Sequence, residues 1–325
     1  MKTPALNEMY WLVKREFWEH RGGFLWTPVI VGGVFLLLNL MGIIAGEVLG
    51  GHFNGHANFI GNNMHLFDRA LTGADANKIG AGLDIMMFST SALVSIVLGF
   101  VVFFYFLGAL YDDRRDRSLL FWKSLPLSDS ATVLSKVVAG TILAPVIAVI
   151  CGVLTGIGML LLFAVTLSFH GIGVWQLLTY AHPFRVTANL IGAIPLYTLW
   201  ALPATGWLLL CSAWARSKPF LWAVALPVAV GLVLWWFNLL GGRIMGGNWY
   251  WHDVCGRILL SVFPGGWIGP QHYADLGGTV DHTMDFLSLA NAYSVMGTPS
   301  FWIGAVAGLA LLAGAIWLRR WRDDN

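Results

Sequence analysis

The chain has 325 residues, of which 57% are hydrophobic and only 11% are charged, whereas a typical soluble domain has roughly 45–50% apolar and 25% charged residues. This composition excludes a soluble globular domain and predicts an all-α, polytopic membrane protein. The net charge of +2 does not indicate a nucleic-acid partner, because it averages a basic inner face with an acidic outer face.

The first predicted element is an interfacial elbow helix within residues 1–21. Its apolar residues recur at steps of three and four, the spacing of an amphipathic helix: Leu6, Met9, Tyr10, Val13 and Phe17. The segment lacks the uninterrupted apolar core and the cleavage site of a signal peptide. We therefore expect a helix that lies in the headgroup plane and leads into the first span.

Six apolar segments are long enough to cross a bilayer, which takes roughly 20 residues in a helix. The predicted spans are Trp26 to Ala45, Phe88 to Tyr111, Val137 to Phe169, Leu190 to Trp214, Phe220 to Leu240 and Ser300 to Leu318. With the N-terminus inside, fourteen of the nineteen Lys and Arg residues fall in cytoplasmic segments. Because basic residues collect on that side of the membrane, we expect both termini in the cytoplasm.

The inner loop from Asp112 to Ser130 is charged at first and then aromatic, with the sequence DDRRDRSLLFWKSLPLSDS. A solvated loop would explain its arginines but not the apolar run Leu119 to Trp122. These side chains need a cover, and a second protein is the favoured one. The alternative is that the aromatic residues lie in the membrane interface, where Trp is favoured.

Two outer loops, residues 46–87 and 241–299, are long and unlike each other. The first holds His52 and His56, whose spacing would suit a metal site on a helix. Its Gly- and Asn-rich sequence disfavours a helix, so we predict no metal site. Hydrated loop residues, or residues that respond to pH, are the simpler interpretation of these histidines.

The second outer loop contains an apolar run, Ile258 to Gly269, which is too short to cross the membrane. Pro264, Gly265 and Gly266 interrupt it and tolerate a sharp reversal of the chain. Such a segment can dip into the outer leaflet if protein buries its free backbone groups. We predict a re-entrant element that caps the exit of a transport cavity.

Small residues at four-residue spacing predict close helix packing. They occur in three sets: Gly42, Gly46 and Gly50; Gly152 and Gly156; and Gly304 and Gly308. We expect packing inside the subunit, with a dimer seam as the alternative. The three cysteines offer no disulfide framework.

The sequence lacks a phosphate-binding G-x-x-x-x-G-K-[ST] loop, an H-E-x-x-H motif and a G-x-S-x-G elbow. We therefore expect no enzyme activity and no cofactor bound by the chain itself. The spans are nearly free of charge, which disfavours a proton-driven transporter. Energy more plausibly enters from outside the spans, through the inner loop.

The string D-R-R-D-R-S, an aromatic pair and K-S-L-P-L-S-D between spans two and three resembles the first cytoplasmic loop of permease subunits of type-2 ABC exporters. The likeness extends over the elbow, the six spans and the outer re-entrant element, which together form one permease domain over residues 1–325. In that family, two permeases pair with two separate ATPase subunits, which bind ATP and magnesium. The resemblance implies a bacterial inner-membrane location, a second permease copy or paralogue, and a hydrophobic or amphipathic cargo that is lipid-like, peptide or drug-like.

By position, the resemblance also implies a coupling helix that contacts the ATPase. Its residues would be Arg114, Arg115, Asp116, Arg117, Phe121, Trp122, Lys123, Leu125 and Pro126. Two other functions stay open. One is a receptor-like or assembly component whose outer loops bind a peptide or a metal. The other is a membrane enzyme that uses outer His and Asp residues on a lipid-linked substrate.

Overall fold

The structure is a computed structural model, and it describes residues 4–50, 76–116, 128–169, 179–240, 249–267 and 288–321. Within these ranges, all regular secondary structure is helical. The predicted all-α class is therefore confirmed.

We number the α-helices in chain order. They are α1 (Pro4–Glu19), α2 (Thr27–Gly50), α3 (Ala76–Arg115), α4 (Asp129–Val138), α5 (Ala144–Phe169), α6 (Pro183–Trp200), α7 (Leu202–Trp214), α8 (Pro219–Leu239), α9 (Gly256–Leu260), α10 (Leu289–Ser294) and α11 (Pro299–Trp321). Short π-helical turns at Gly22–Trp26 and Ala139–Leu143 join α1 to α2 and α4 to α5, and a third precedes α9 at Tyr250–Cys255. A 3₁₀ turn at Val295–Gly297 follows α10.

Among the residues that the structure describes, five helical segments are long and apolar enough to cross a membrane. They are Gly22–Gly46, Ile79–Arg115, Asp129–Phe169, Pro219–Leu239 and Pro299–Trp321. Helices α6 and α7 make a sixth span if the bent pair is counted as one. By length and composition, the predicted multi-pass membrane protein is confirmed.

The fourth predicted span is not one continuous helix. It begins earlier than predicted, at Pro183, and it bends by 50° between Trp200 and Leu202. Pro203 lies in the first turn of α7. Because proline has no backbone N–H and its ring clashes with the preceding turn, Pro203 favours a bend at this point, whereas Pro195 lies inside α6 without ending it. The count of apolar residues does not reveal this break.

The second and third spans are longer than predicted. Helix α3 has 40 residues, which at 1.5 Å per residue is about 60 Å, roughly twice the thickness of a hydrocarbon core. It includes residues 76–87, which the sequence analysis placed in an outer loop. The third span starts at Asp129 rather than Val137. Both ends of the inner loop are therefore carried on rigid helices.

Two of the three glycine sets pack inside the subunit, as predicted. A Cβ atom at Gly152 or Gly156 would lie within 3 Å of an atom of α3, and one at Gly308 would overlap the backbone at the start of α7. The third set differs, because no atom lies within 4 Å of a Cβ built at Gly42 or Gly46. These two glycines therefore play no part in packing among the described residues.

Candidate functional site

Charged residues from four parts of the chain meet at one end of the helix bundle, which we call the basal end. They come from α1, the end of α3, the start of α4 and the end of α11. The inner loop leaves and re-enters the bundle at this end. Its two flanking helices, α3 and α4, therefore end and begin among these charges.

Glu16 of the elbow helix is the most deeply buried of these charges, with 0% of its side chain exposed. Its Oε1 atom lies 3.2 Å from Lys136 Nζ and 2.6 Å from an Arg15 guanidinium nitrogen. The Tyr105 hydroxyl donates a hydrogen bond of 2.9 Å to Oε2. Burial alone would raise the pKa of the Glu16 carboxyl, but Lys136 and Arg15 together outweigh it and hold the pKa below its ordinary value.

The two flanks of the inner loop share one arginine. Arg319 of α11 lies 3.5 Å from Asp113, just before the loop, and 3.3 Å from Asp129, just after it. Lys136 also lies 3.5 Å from Asp113, which joins these contacts to Glu16. We call Glu16, Asp113, Asp129, Lys136 and Arg319 the basal ion cluster. It connects the loop to the elbow and to the third and sixth spans.

Arg114 ties the loop to the fourth span. Its guanidinium group donates hydrogen bonds to the carbonyl oxygens of Ser212 and Ala215, at the C-terminal end of α7. A cation at that position binds carbonyls that have no partner within the helix. The Ser212 hydroxyl accepts hydrogen bonds from the backbone N–H groups of Leu110 and Tyr111 in α3. These hydrogen bonds therefore hold the C-terminal ends of α3 and α7 together.

Of the other eight predicted coupling residues, the structure describes only two. Arg115 and Asp116 are exposed at the end of α3, where a partner could reach them. Six lie outside the described residues: Arg117, Phe121, Trp122, Lys123, Leu125 and Pro126. Ser128 caps α4 by accepting a hydrogen bond from the Ala131 N–H at 3.1 Å, so the third span begins with a capped helix.

Away from the basal end, residues 261–267 form a compact turn after α9, with Phe263 against Gly99 in the middle of α3. Gly265 has a φ of 83°, in the left-handed region that favours glycine. Val262 is fully buried, and its carbonyl accepts a 2.7 Å hydrogen bond from the Tyr197 hydroxyl of α6. The turn at Pro264, Gly265 and Gly266 therefore packs on the bundle. Its depth in the membrane stays a prediction.

The sequence analysis missed Glu16 and Lys136 as site residues. The sequence contains one indication of Glu16. This residue follows Leu12 by four positions and therefore lies on the same helix face, and Leu12 is buried. The predicted apolar stripe overlaps the packed face, since Met9, Val13 and Phe17 are partly buried and Phe17 packs against the core, whereas Tyr10 at its edge is 61% exposed. The face that packs on the bundle therefore combines part of this stripe with Leu12 and Glu16.

Glu16, Glu19 and His20 bring their ligand atoms within 4.8 Å of one another. Three such side chains could in principle hold a metal ion. Glu16, however, is already neutralised by Lys136 and Arg15. We therefore assign this trio no metal.

Comparisons with protein-family models, with curated proteins and with solved structures find no match to this chain. Function must be argued from the geometry and from the sequence resemblance.

Proposed function

We propose that this chain is the membrane-spanning permease subunit of an ATP-driven exporter of the type-2 ABC class. It works with separate ATPase subunits and with a second permease copy or paralogue. The ATPases bind ATP and magnesium, and this chain moves a hydrophobic or amphipathic cargo across the bacterial inner membrane.

One observation carries the proposal: both flanks of the 112–130 loop are tied to other spans through charged side chains that are buried or partly buried. Arg319 holds Asp113 and Asp129, and Arg114 holds the end of α7. A loop that served only as a connection would not need such anchoring. A loop that receives a force from a partner does.

The mechanism follows from these connections. An ATPase that pushes on the loop displaces the ends of α3 and α4 together, because Arg319 bridges them. Arg114 passes the displacement to α7, and Lys136 with Glu16 passes it to the elbow. The spans then swing between inward and outward access as a connected group, without an ionisable relay in their apolar middle.

The proposed ATPase contact is tested by affinity purification in mild detergent, with identification of the co-purifying chains and an ATPase assay. We expect an ABC-type ATPase to co-purify. Truncating a buried interface aromatic typically costs about 2 kcal/mol, or roughly 30-fold in Kd. Trp122→Ala should therefore loosen the ATPase and abolish transport while the protein still inserts.

Trp317→Ala is the matched control, since Trp317 is 59% exposed on the last span, outside the loop. It should leave ATPase association unchanged. Equal behaviour of the two variants would assign Trp122 to the membrane interface and remove the main support for coupling.

The orientation is tested separately by cysteine labelling in intact cells. Arg216 is exposed at the basal end, next to the Arg114 contact, and His252 is 61% exposed in the turn before α9, within the predicted outer loop. We expect an impermeant thiol reagent to label His252→Cys and to spare Arg216→Cys. Labelling of Arg216→Cys would place the basal end outside and rule out a cytosolic ATPase there.

A further inference from the structure

A cavity of about 540 Å³ lies inside the subunit, away from the basal end. Its walls come from the middle of α3, the middle of the third span, α6, the end of α9 with the turn after it, and α10. Ligand pockets in proteins generally have volumes of about 300–1,000 Å³. The cavity is therefore large enough to hold part of a lipid-sized molecule.

The inner walls present no free charge. Among the described residues that line the cavity there is no Asp, Glu, Lys, Arg or His. The two polar groups in its buried part already have partners: Ser95 donates to the Ser91 carbonyl at 2.9 Å, and Tyr197 donates to the Val262 carbonyl at 2.7 Å. A charged group placed there would lack a counter-charge in a low dielectric, so the ligand portion inside is apolar.

Apart from the indole of Trp267 in the turn after α9, the remaining polar side chains on the described walls come from α6 and α10. Asn189 lies on α6, while Asn291 and Ser294 lie on α10. The walls from α3 and the third span are apolar except for Ser95. This division suits a molecule with a polar head towards α10 and an apolar chain towards α3 and α5.

The cavity is open sideways. Ile96 and Leu260 line it and are 44% and 59% exposed, whereas Leu98 and Ala148, which also line it, are only 2% and 1% exposed. Ile96 lies in the middle of a predicted membrane span, so its exposed side meets hydrocarbon. An apolar chain can therefore pass from the bilayer into the cavity without crossing water.

We propose that this cavity binds one alkyl chain of a lipid-like molecule, which enters from the side between Ile96 and Leu260. The turn after α9 forms one wall, with the Phe263 ring seated against Gly99. Two sources can supply such a chain. One is a bulk membrane phospholipid, and the other is an exported cargo, which exists only if the proposed function holds.

The test uses the purified full chain in nanodiscs that contain phosphatidylethanolamine with a photoactivatable diazirine in its acyl chain. After illumination, labelled positions are mapped by peptide mass spectrometry. We expect labels on the segments that line the cavity, around Ser95, Ala148 and Ala193. Labelling confined to other surfaces of the wild-type protein would overturn the proposal, whatever the variants do.

Two variants fill the cavity independently. Ala92→Phe and Ala193→Phe each place a ring in its space, since both residues line it. A loss of about 1.4 kcal/mol in binding reduces occupancy of a weak site about tenfold, so labelling of the lining segments should fall by about that factor. Ala310→Phe, on the exposed side of α11, is the control and should label like the wild type. Undiminished labelling in a folded filling variant would refute the site.

Mass spectrometry of molecules extracted from the purified protein distinguishes the two sources. A phospholipid mixture that matches the bulk membrane identifies a resident lipid. A single enriched alkyl-bearing species identifies the cargo. Neither result depends on an ATPase, so the cavity can hold an alkyl chain even if co-purification finds no ATPase partner.

Discussion

Replacement of Lys136 by methionine tests the basal ion cluster directly. Lys136 is 2% exposed and its partner Glu16 is 0% exposed, so the change leaves a carboxylate buried without its nearest lysine. Breaking a buried ion pair by removing one partner costs about 3–5 kcal/mol. Because Arg15 and Tyr105 still bind Glu16, we expect Lys136→Met to lower the free energy of unfolding by about 3 kcal/mol, at the low end of that range.

The assay is equilibrium unfolding in mixed micelles of a mild detergent and dodecyl sulfate, followed by tryptophan fluorescence at neutral pH. The pKa of Glu16 is lowered in the folded protein, so its carboxylate stabilises the fold at neutral pH. That contribution is lost only as the pH falls through the folded-state value, below 4.5. Lys218→Met, an exposed lysine at the same end, is the control and should stay within about 0.5 kcal/mol of the wild type.

A double-mutant cycle separates the ion pair from general disruption. In the presence of Glu16→Gln, the Lys136→Met change should cost about 2 kcal/mol less than it does alone, since contacting charges couple. Additive effects, or a Lys136→Met protein as stable as Lys218→Met, would refute the view that Glu16 and Lys136 form a stabilising buried pair.

Two further predictions concern glycines. Gly308→Ala should destabilise the protein by about 1–3 kcal/mol, because its Cβ meets the α7 backbone. Gly42→Ala is the control and should be neutral or mildly stabilising. Thermal unfolding in detergent compares the two variants, and equal melting temperatures would contradict the packing of Gly308 on α7. Gly265→Ala should lower the free energy of unfolding by about 1–2 kcal/mol because of its positive φ. Gly297→Ala, with open space around its Cβ, should not lower it. The same thermal unfolding experiments compare the two variants, and an unchanged melting temperature for Gly265→Ala would show that the turn does not need glycine.

The apolar spans could be predicted from the sequence because length and hydrophobicity alone specify them. The runs around α2, α3, α5, α8 and α11 all pass that test in the structure. The cap at Ser128 was also predictable, since a capping residue acts on a backbone N–H three residues away. The break before α7 was missed because Pro203 lies inside a long apolar run and changes its hydropathy little.

The basal ion cluster could not be derived in the same way. Glu16 reaches Lys136 across 120 residues and Asp113 reaches Arg319 across 206, and no local pattern specifies such pairings. In the sequence, Lys136 and Arg319 serve equally well as markers of the cytoplasmic side. Only their burial at 2% and 5% exposure distinguishes them from basic residues that merely set the topology.

The spread of the basal ion cluster along the chain also sets an order of assembly. Chains are made from the N-terminus, so Glu16 emerges first, and its pairing with Lys136 becomes possible once the third span has been made. Asp113 and Asp129 receive Arg319 only after the last span has been synthesised and inserted with its basic end on the correct side. The contacts of Arg319 with both flanks of the inner loop therefore form only in complete and correctly inserted chains, and biogenesis itself determines when the basal ion cluster is complete.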